Sequence, residues 1–394
     1  MKKLTKCLLC YSLILTMSIS LSHQLLATAD RPIDIELPKP IEDELGDTES
    51  LEDDEKTILK LTEEELTEKF KVILTDMIDK RNGYILHGDD EGLKSLYNTT
   101  IKLSSYAYES EATKLKYLNN WAQKQCIKFN SIESILKMRK VRDRENGLYG
   151  MTCNVSTEFS YSYSDTPEIE NKFKLGTSHY IHLKEDGDKY IIVKEWYTDP
   201  FADSLDMGNI KSEEVKKFIL EQKAPTYEIS ERTKKAIEYA HKYCGIGENE
   251  QLFKYNKDYI DCNPRGGDCA NFASQILHEG GGFKKNGTWN YDEDGTKAWV
   301  NAQAFKNYIV SSGRGGCIAK GSYNKVYKAA YQLRPGDFVA YEKKGRITHI
   351  STVTGLDSKG YPLVTCHNTD RLLVPYDLGW SNKSITFHLI DVYY

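Results

Sequence analysis

The apolar residues of this chain change period part-way along it, and that change limits the fold more than any other feature. After Thr57, residues Ile58, Leu59, Leu61, Leu66, Phe70, Ile73, Leu74 and Ile78 recur at three- and four-residue spacing, the mark of an amphipathic helix. Thr62 followed by Glu65 offers a capping box within it. A second helical stretch, Glu111 to Phe129, carries Leu115, Leu118, Trp121 and Ile127. The period then becomes two. VSTEFSYSYS alternates its side chains, and HYIHLKEDGDKYIIVKEWY reads as two strands joined at Asp186-Gly187. Helices followed by an antiparallel meander predict an α+β domain over residues 57–200.

A chain of 394 residues has room for a second core. Ala224-Pro225 breaks the chain, and Ser230 stands as N-cap before the amphipathic stretch ERTKKAIEYAHKYC. Residues 201–229 are therefore read as linker plus short helix, and 230–394 as a second domain. At the other end, Lys2, Lys3 and Lys6 precede a mainly apolar run, and Ala27-Thr28-Ala29 offers a cleavage site. That three-part pattern predicts a secretory signal over 1–29, cleaved after Ala29, and a secreted or cell-surface protein. Residues 30–56 hold twelve acids against three bases, so this stretch is read as an acidic, disordered linker. The whole chain carries −5, which leaves about +1 for residues 57–394. A near-neutral body has no electrostatic footprint for nucleic acid. No stretch after the signal reaches 18 consecutive apolar residues, so no membrane span is expected in the mature chain. Nothing in the sequence sets the oligomeric state.

Chemistry concentrates in GGDCANFASQ, residues 266–275. Cys269, Phe272, Ala273, Ile276 and Leu277 share one helical face, and Gly280-Gly281-Gly282 ends the run. With Asp268 as N-cap, Cys269 falls in the first turn, where free amides and the helix dipole lower a thiol pKa. The same features describe a buried cysteine opening a core helix, and the stretch alone leaves both readings open. Downstream, LRPGDFVAY (333–341) is a turn feeding a strand, RITHISTVTG (346–355) is a strand containing His349, and YPLVTCHN runs through His367 and Asn368. A thiol nucleophile needs a base for its proton and a third group to hold that base.

These blocks resemble a known family. Gly267-Asp268-Cys269-Ala270-Asn271-Phe272-Ala273-Ser274-Gln275 is similar to the first motif of the putative amidase domain family of Gram-positive bacteria, and Trp289 with Trp299-Val300-Asn301 to its aromatic motif. Leu333-Arg334-Pro335-Gly336-Asp337, Thr348-His349-Ile350 and Cys366-His367-Asn368-Thr369-Asp370-Arg371 resemble its last three motifs. The resemblance covers about 230–394. It implies a papain-like fold of the NlpC/P60 and CHAP circle, and a cysteine amidase or peptidase acting on cell-wall peptide. Cys269 then matches the nucleophile and His349 the general base. His367 matches the third residue, with Asn368 as the alternative, and Asp268, Trp289 and Trp299 would border the substrate cleft. Strand neighbours point to opposite faces, so only one of His367 and Asn368 can orient His349. If His349, Ser351 and Val353 share the face towards Cys269, the parity of the third strand decides between them. The hairpin ending at Trp196 resembles the closing strands of cone-shaped NTF2-like domains.

Other readings compete. Seven cysteines follow the signal, an odd number that leaves at least one thiol unpaired in the monomer; Cys126 with Cys153 and Cys244 with Cys262 are neighbours in sequence. His241-x-x-Cys244 lacks companion ligands, so no metal is expected, and no cofactor motif is present. His179 carries no spacing that asks for function. Asp337 is read as a turn residue. The rival to an enzyme is a catalytically inactive papain-like module that binds a partner, and it predicts an occluded Cys269 or a His349 that cannot reach it.

Overall fold

The capping box at Thr62 forms. Its hydroxyl accepts the Glu65 amide at 3.2 Å while the Glu65 carboxylate accepts the Thr62 amide at 2.8 Å, and α1 runs Glu63–His87. The computed structural model describes residues 61–201, 212–247, 252–381 and 384–394. The expected signal, the acidic stretch and the apolar positions Ile58 and Leu59 lie outside the described residues. After α1 come α2 (Asp90–Lys94) and α3 (Lys102–Gln125). The helix expected to reach Phe129 stops early, because Cys126 takes a left-handed φ of 58° and ends it. Ile127 and Phe129 belong instead to β1 (Ile127–Asp143).

β2 (Leu148–Tyr163), β3 (Thr166–Asp186) and β4 (Lys189–Trp196) complete the antiparallel meander. Asp186 pairs with Lys189 across the expected turn, and Gly187 sits there at φ 66°, a value that glycine reaches without strain.

The second half contributes α4 (Ser212–Leu220), α5 (Glu231–Tyr243), α6 (Cys269–Gln275), α7 (Lys297–Val300), α8 (Ala302–Ser311) and α9 (Tyr323–Ala330). Ser230 caps α5 as expected, accepting the Thr233 amide at 3.1 Å. A wider turn, Ile276–Gly280, continues α6. The strands are β5 (Gly315–Gly321), β6 (Phe338–Lys343), β7 (Arg346–Leu356), β8 (Pro362–Cys366), β9 (Arg371–Pro375) and β10 (Ile385–Val392). Asp337 does the work of a turn: its carboxylate accepts the Arg334 amide at 2.7 Å and the Val392 amide at 3.0 Å.

The result is a mixed α/β structure around one large antiparallel sheet, ordered β1-β2-β3-β9-β8-β7-β6-β10-β5 with β4 paired to β3. The stretches 57–200 and 230–394 meet in it where Lys174 pairs with Leu372 and Leu175 with Arg371. Alternation along the strands divides the core in two. Phe338, Ala340, Ile347 and Ile350 face α6 and α8, packed with Cys269, Trp299 and Phe305. Val339, Tyr341, Val353 and Val364 face the other way, towards Trp121 of α3, Tyr323 of α9 and Tyr376. Among the described residues no helix is long and apolar enough to cross a membrane.

Candidate active site

The start of α6 is held by a buried clamp. Gly266 and Gly267 take φ values of 104° and 132°, and a Cβ on Gly267 would collide with the Asn368 side chain. That close approach lets Asn368 Oδ1 accept the Asp268 amide at 2.5 Å. The Asp268 carboxylate, expected to cap α6, makes no cap bond to it. Instead Oδ1 accepts the Cys262 amide at 2.9 Å and the Asn271 side-chain amide at 2.8 Å, and Oδ2 pairs with His367 Nδ1 at 2.5 Å. His367 Nε2 donates to the Tyr243 carbonyl at 2.8 Å. Its ring lies between those of Tyr255 and Phe272, with centroids 3.8 and 3.7 Å away.

Two donated bonds, one from each ring nitrogen, describe a charged imidazolium. Burial pulls its pKa down, but the Asp268 hydrogen bond, the charges of Asp370 and Asp268 and the Tyr243 carbonyl outweigh it, and the net direction is up from 6.5. A histidine with a raised folded-state pKa stabilises fully below its unfolded value and loses that contribution as pH rises through the folded one. The thermal midpoint of the protein is therefore expected to fall as pH is raised from about 6.5 into the alkaline range. His367→Gln protein, starting from a lower midpoint, should lose this pH-dependent part; parallel midpoint-against-pH curves for the two would refute the ion pair.

Cys269 is the first residue of α6 and is 6% exposed. Burial pushes its thiol up to about 12, against the pull of the Ile350 and Ala270 amides. The lowering expected from the helix start is thus overcome by desolvation. The residue across from it on β7 is Ile350, which shares its apolar cluster. His349 faces away. β7 carries an extra residue at Thr348, because Tyr341 pairs with His349 while Glu342 pairs with Ile347. This bulge shifts the alternation by one, so Ile347 and Ile350 face α6 and His349 lies with Tyr341 on the opposite side. There His349 Nε2 meets Cys366 Sγ at 3.2 Å and its ring stacks on Trp380. Burial, then the Arg371 charge, pulls the His349 imidazole down to about 3; burial likewise pushes the Cys366 thiol up to about 11.

The structure thus brings Cys269 together with Asp268, His367 and Asn368, and brings His349 together with Cys366. It does not bring His349 to Cys269, and neither His367 nor Asn368 bonds to His349, since both hold Asp268. Trp289 and Trp299 are fully buried: their indole N–H groups donate to Ser274 Oγ at 3.0 Å and Asn271 Oδ1 at 2.9 Å. They brace the underside of α6 rather than an open cleft. Cys366 and Arg371 stand in the last motif of the sequence without a role of their own, and Trp380 stands in no motif; the place of Cys366 beside His349 is visible only once strand parity is known. All seven described cysteines are free thiols, those of the suggested neighbour pairs included. Among the described residues no group of three or more His, Cys, Asp or Glu side chains is placed to hold a metal.

The chain is 26% identical to the uncharacterized protein YhbB of Bacillus subtilis (strain 168), over 55% of this chain and 73% of that protein. It is 33% identical to the uncharacterized protein YjcM of the same organism, over 38% of this chain and 33% of that protein, so it spans about a third of that relative. A solved structure, the intermembrane space region of chloroplast protein ARC6, aligns with 32% of this chain and 95% of its own at 7% identity and a TM-score of 0.23. Residues 230–390, which hold every side chain of the α6 clamp and the His349–Cys366 pair, match the model of the putative amidase domain, and that match suggests amidase-like, hydrolytic chemistry.

Proposed function

We propose that the chain hydrolyses an amide bond in a cell-wall peptide, with Cys269 as the nucleophile. What supports this most is that Cys269 opens a helix whose first turn is fixed by the Asp268–His367–Asn368 clamp, within a region similar to an amidase domain. The secretory pattern of the first residues supports a substrate outside the cell. The Cys269 proton passes to His349, Sγ adds to the carbonyl carbon, and the amine leaves with the proton from His349, giving a thioester. Water then cleaves the thioester and restores the thiol. His349 must leave Cys366 for this to occur. The Thr348 bulge lies next to it, and migration of the bulge past His349 turns that side chain to the Cys269 face.

One observation favours a second reading, a binding module without catalysis: the resting thiol is buried and neutral, and His349 pairs with Cys366 instead. A cell-wall peptide carrying a chloroacetyl group separates the two. The enzyme predicts covalent capture of Cys269, seen by peptide mass analysis and slowed at least about tenfold in His349→Ala. Capture of no thiol, or of Cys317 alone, decides for the module.

A further inference from the structure

The meander of β1 to β4 has two faces. One packs on α1 and α3 through Val141, Met151, Ile181 and Ile192. The other carries the alternate side chains, and the register aligns them in rows. Arg142 stands opposite Gly150, Gly150 opposite His182, and His182 opposite Lys194. The next row is Lys140, Thr152, Tyr180 and Trp196, and the one after it Lys137, Asn154 and Ser178. Arg144, just past the end of β1, lies over the first row: a Cβ on Gly150 would come within 3.2 Å of Arg144 Nε and 3.1 Å of His182 Nε2.

These rows gather Lys137, Lys140, Arg142, Arg144 and Lys194, and they contain no acid. The first four are exposed and Lys194 is half-buried. Farther along the same face Lys172 and Lys174 are taken up by Glu158 at 2.9 and 3.1 Å, whereas among the described residues none of the five makes such a pair. His182 feels the uncompensated charge: burial, then Lys194 and Arg144, pulls its imidazole down to about 4. The near-neutral sum for residues 57–394 conceals this concentration.

Polar and aromatic groups complete the face. Thr152 and Ser178 are exposed, and the Ser178 hydroxyl donates to Asn154 Oδ1 at 3.2 Å. Trp196 is 44% exposed at the end of its row, beside Tyr180, whose ring centroid lies 4.9 Å from Lys194 Nζ. Successive rows stand about 6.8 Å apart and four strands span about 14 Å, a footprint for a chain molecule rather than a single ion.

We propose that this face binds an anionic glycan. Its acidic groups lie on Lys137, Lys140, Arg142 and Arg144, its hydroxyls on Thr152, Asn154 and Ser178, and the apolar side of one sugar ring on Trp196. A nucleic acid strand calls for a ring under each successive base, and these rows expose one. A membrane surface calls for a broad apolar face, which these rows lack.

Fluorescence polarisation of the full chain with a labelled alginate octasaccharide tests this, against neutral maltooctaose, a thymidine octanucleotide and phosphatidylglycerol vesicles. Alginate is expected to bind at least about tenfold more tightly than maltooctaose and to weaken as salt rises. Lys137→Gln, Lys140→Gln and Arg142→Gln together should cost at least about tenfold and flatten the salt dependence. Trp196→Ala should cost about fivefold and leave the salt dependence as it was. Lys172→Gln with Lys174→Gln removes cations that Glu158 already holds and should leave affinity unchanged. All these variants are expected to keep the native circular dichroism. Absent alginate binding, equal binding of maltooctaose, or an equal loss in the Lys172 and Lys174 variant overturns the proposal. Tighter binding of the octanucleotide or of the vesicles overturns it too, and gives the face to that partner instead.

Discussion

Lys124→Ala is expected to lower the unfolding free energy by about 3–5 kcal/mol, the usual result of stranding a buried charge. Lys124 Nζ lies 2.6 Å from Asp377 Oδ2, and both side chains are buried. The same carboxylate accepts from Trp121 Nε1 at 3.2 Å, Tyr361 at 2.7 Å and Ser381 at 2.6 Å, while Lys124 also donates to Tyr323 at 3.0 Å. One carboxylate therefore ties α3 to the connection between β9 and β10 and, through Tyr323, to α9. Urea unfolding read by tryptophan fluorescence and by far-ultraviolet circular dichroism measures the loss. The midpoint should drop while the two probes stay coincident, because Lys60–Tyr394 hold together as one unit. The paired change Lys124→Met with Asp377→Leu should recover much of the loss, since apolar residues of similar size leave no stranded charge. A single variant within about 0.5 kcal/mol of the native protein would show that the pair is solvated and the account of this junction mistaken.

How far the sequence discloses this architecture depends on how local each signal is. The Thr62–Glu65 box, the Ser230 cap and the Asp186-Gly187 turn each rest on residues within four positions, and each forms as read. β1 is hidden because it lies at the edge of the sheet and carries two register shifts, between Phe129 and Ser131 and between Met138 and Lys140. Each shift moves the alternation by one, so no single period describes the strand. The end of α3 is hidden for another reason. A left-handed cysteine at position 126 stops the helix, and only the backbone reveals it.

The same limit governs the candidate site. The motifs around Cys269, His367 and Asn368 are legible as a group, and they do converge, but on Asp268 rather than on His349. One extra residue at Thr348 sends His349 to the other face of the sheet, and a reading by strict alternation cannot foresee it. Burial hides as much as parity does. A helix start lowers a thiol pKa only where its amides act on an otherwise solvated sulfur; at 6% exposure desolvation dominates. His179, whose spacing asked for nothing, joins Glu195 at a separation of 16 residues and Arg81 through that carboxylate. Ion networks of this kind are assembled by the fold and leave no local pattern.

On the proposed mechanism, Cys269→Ala is expected to lower hydrolysis of a cell-wall peptide by at least about a thousandfold, since the acyl group then has no acceptor and only residual stabilisation remains. The measurement is amine release under kcat/KM conditions, followed by mass analysis of the fragments. His349→Ala should cost about a hundredfold to ten-thousandfold, the range for a general acid–base residue. Cys366 supplies the discriminating variant. In the resting arrangement its thiol holds His349 Nε2 at 3.2 Å, so Cys366→Ala releases the imidazole and is expected to leave kcat/KM unchanged or raise it. The opposite outcome, loss in Cys366→Ala with activity kept in Cys269→Ala, would move the nucleophile across the sheet to the thiol that already touches a histidine. Native rates in both cysteine variants would remove thiol chemistry from the protein. The three variants thus decide which face of β7 carries the reaction, the point on which the bulge at Thr348 turns.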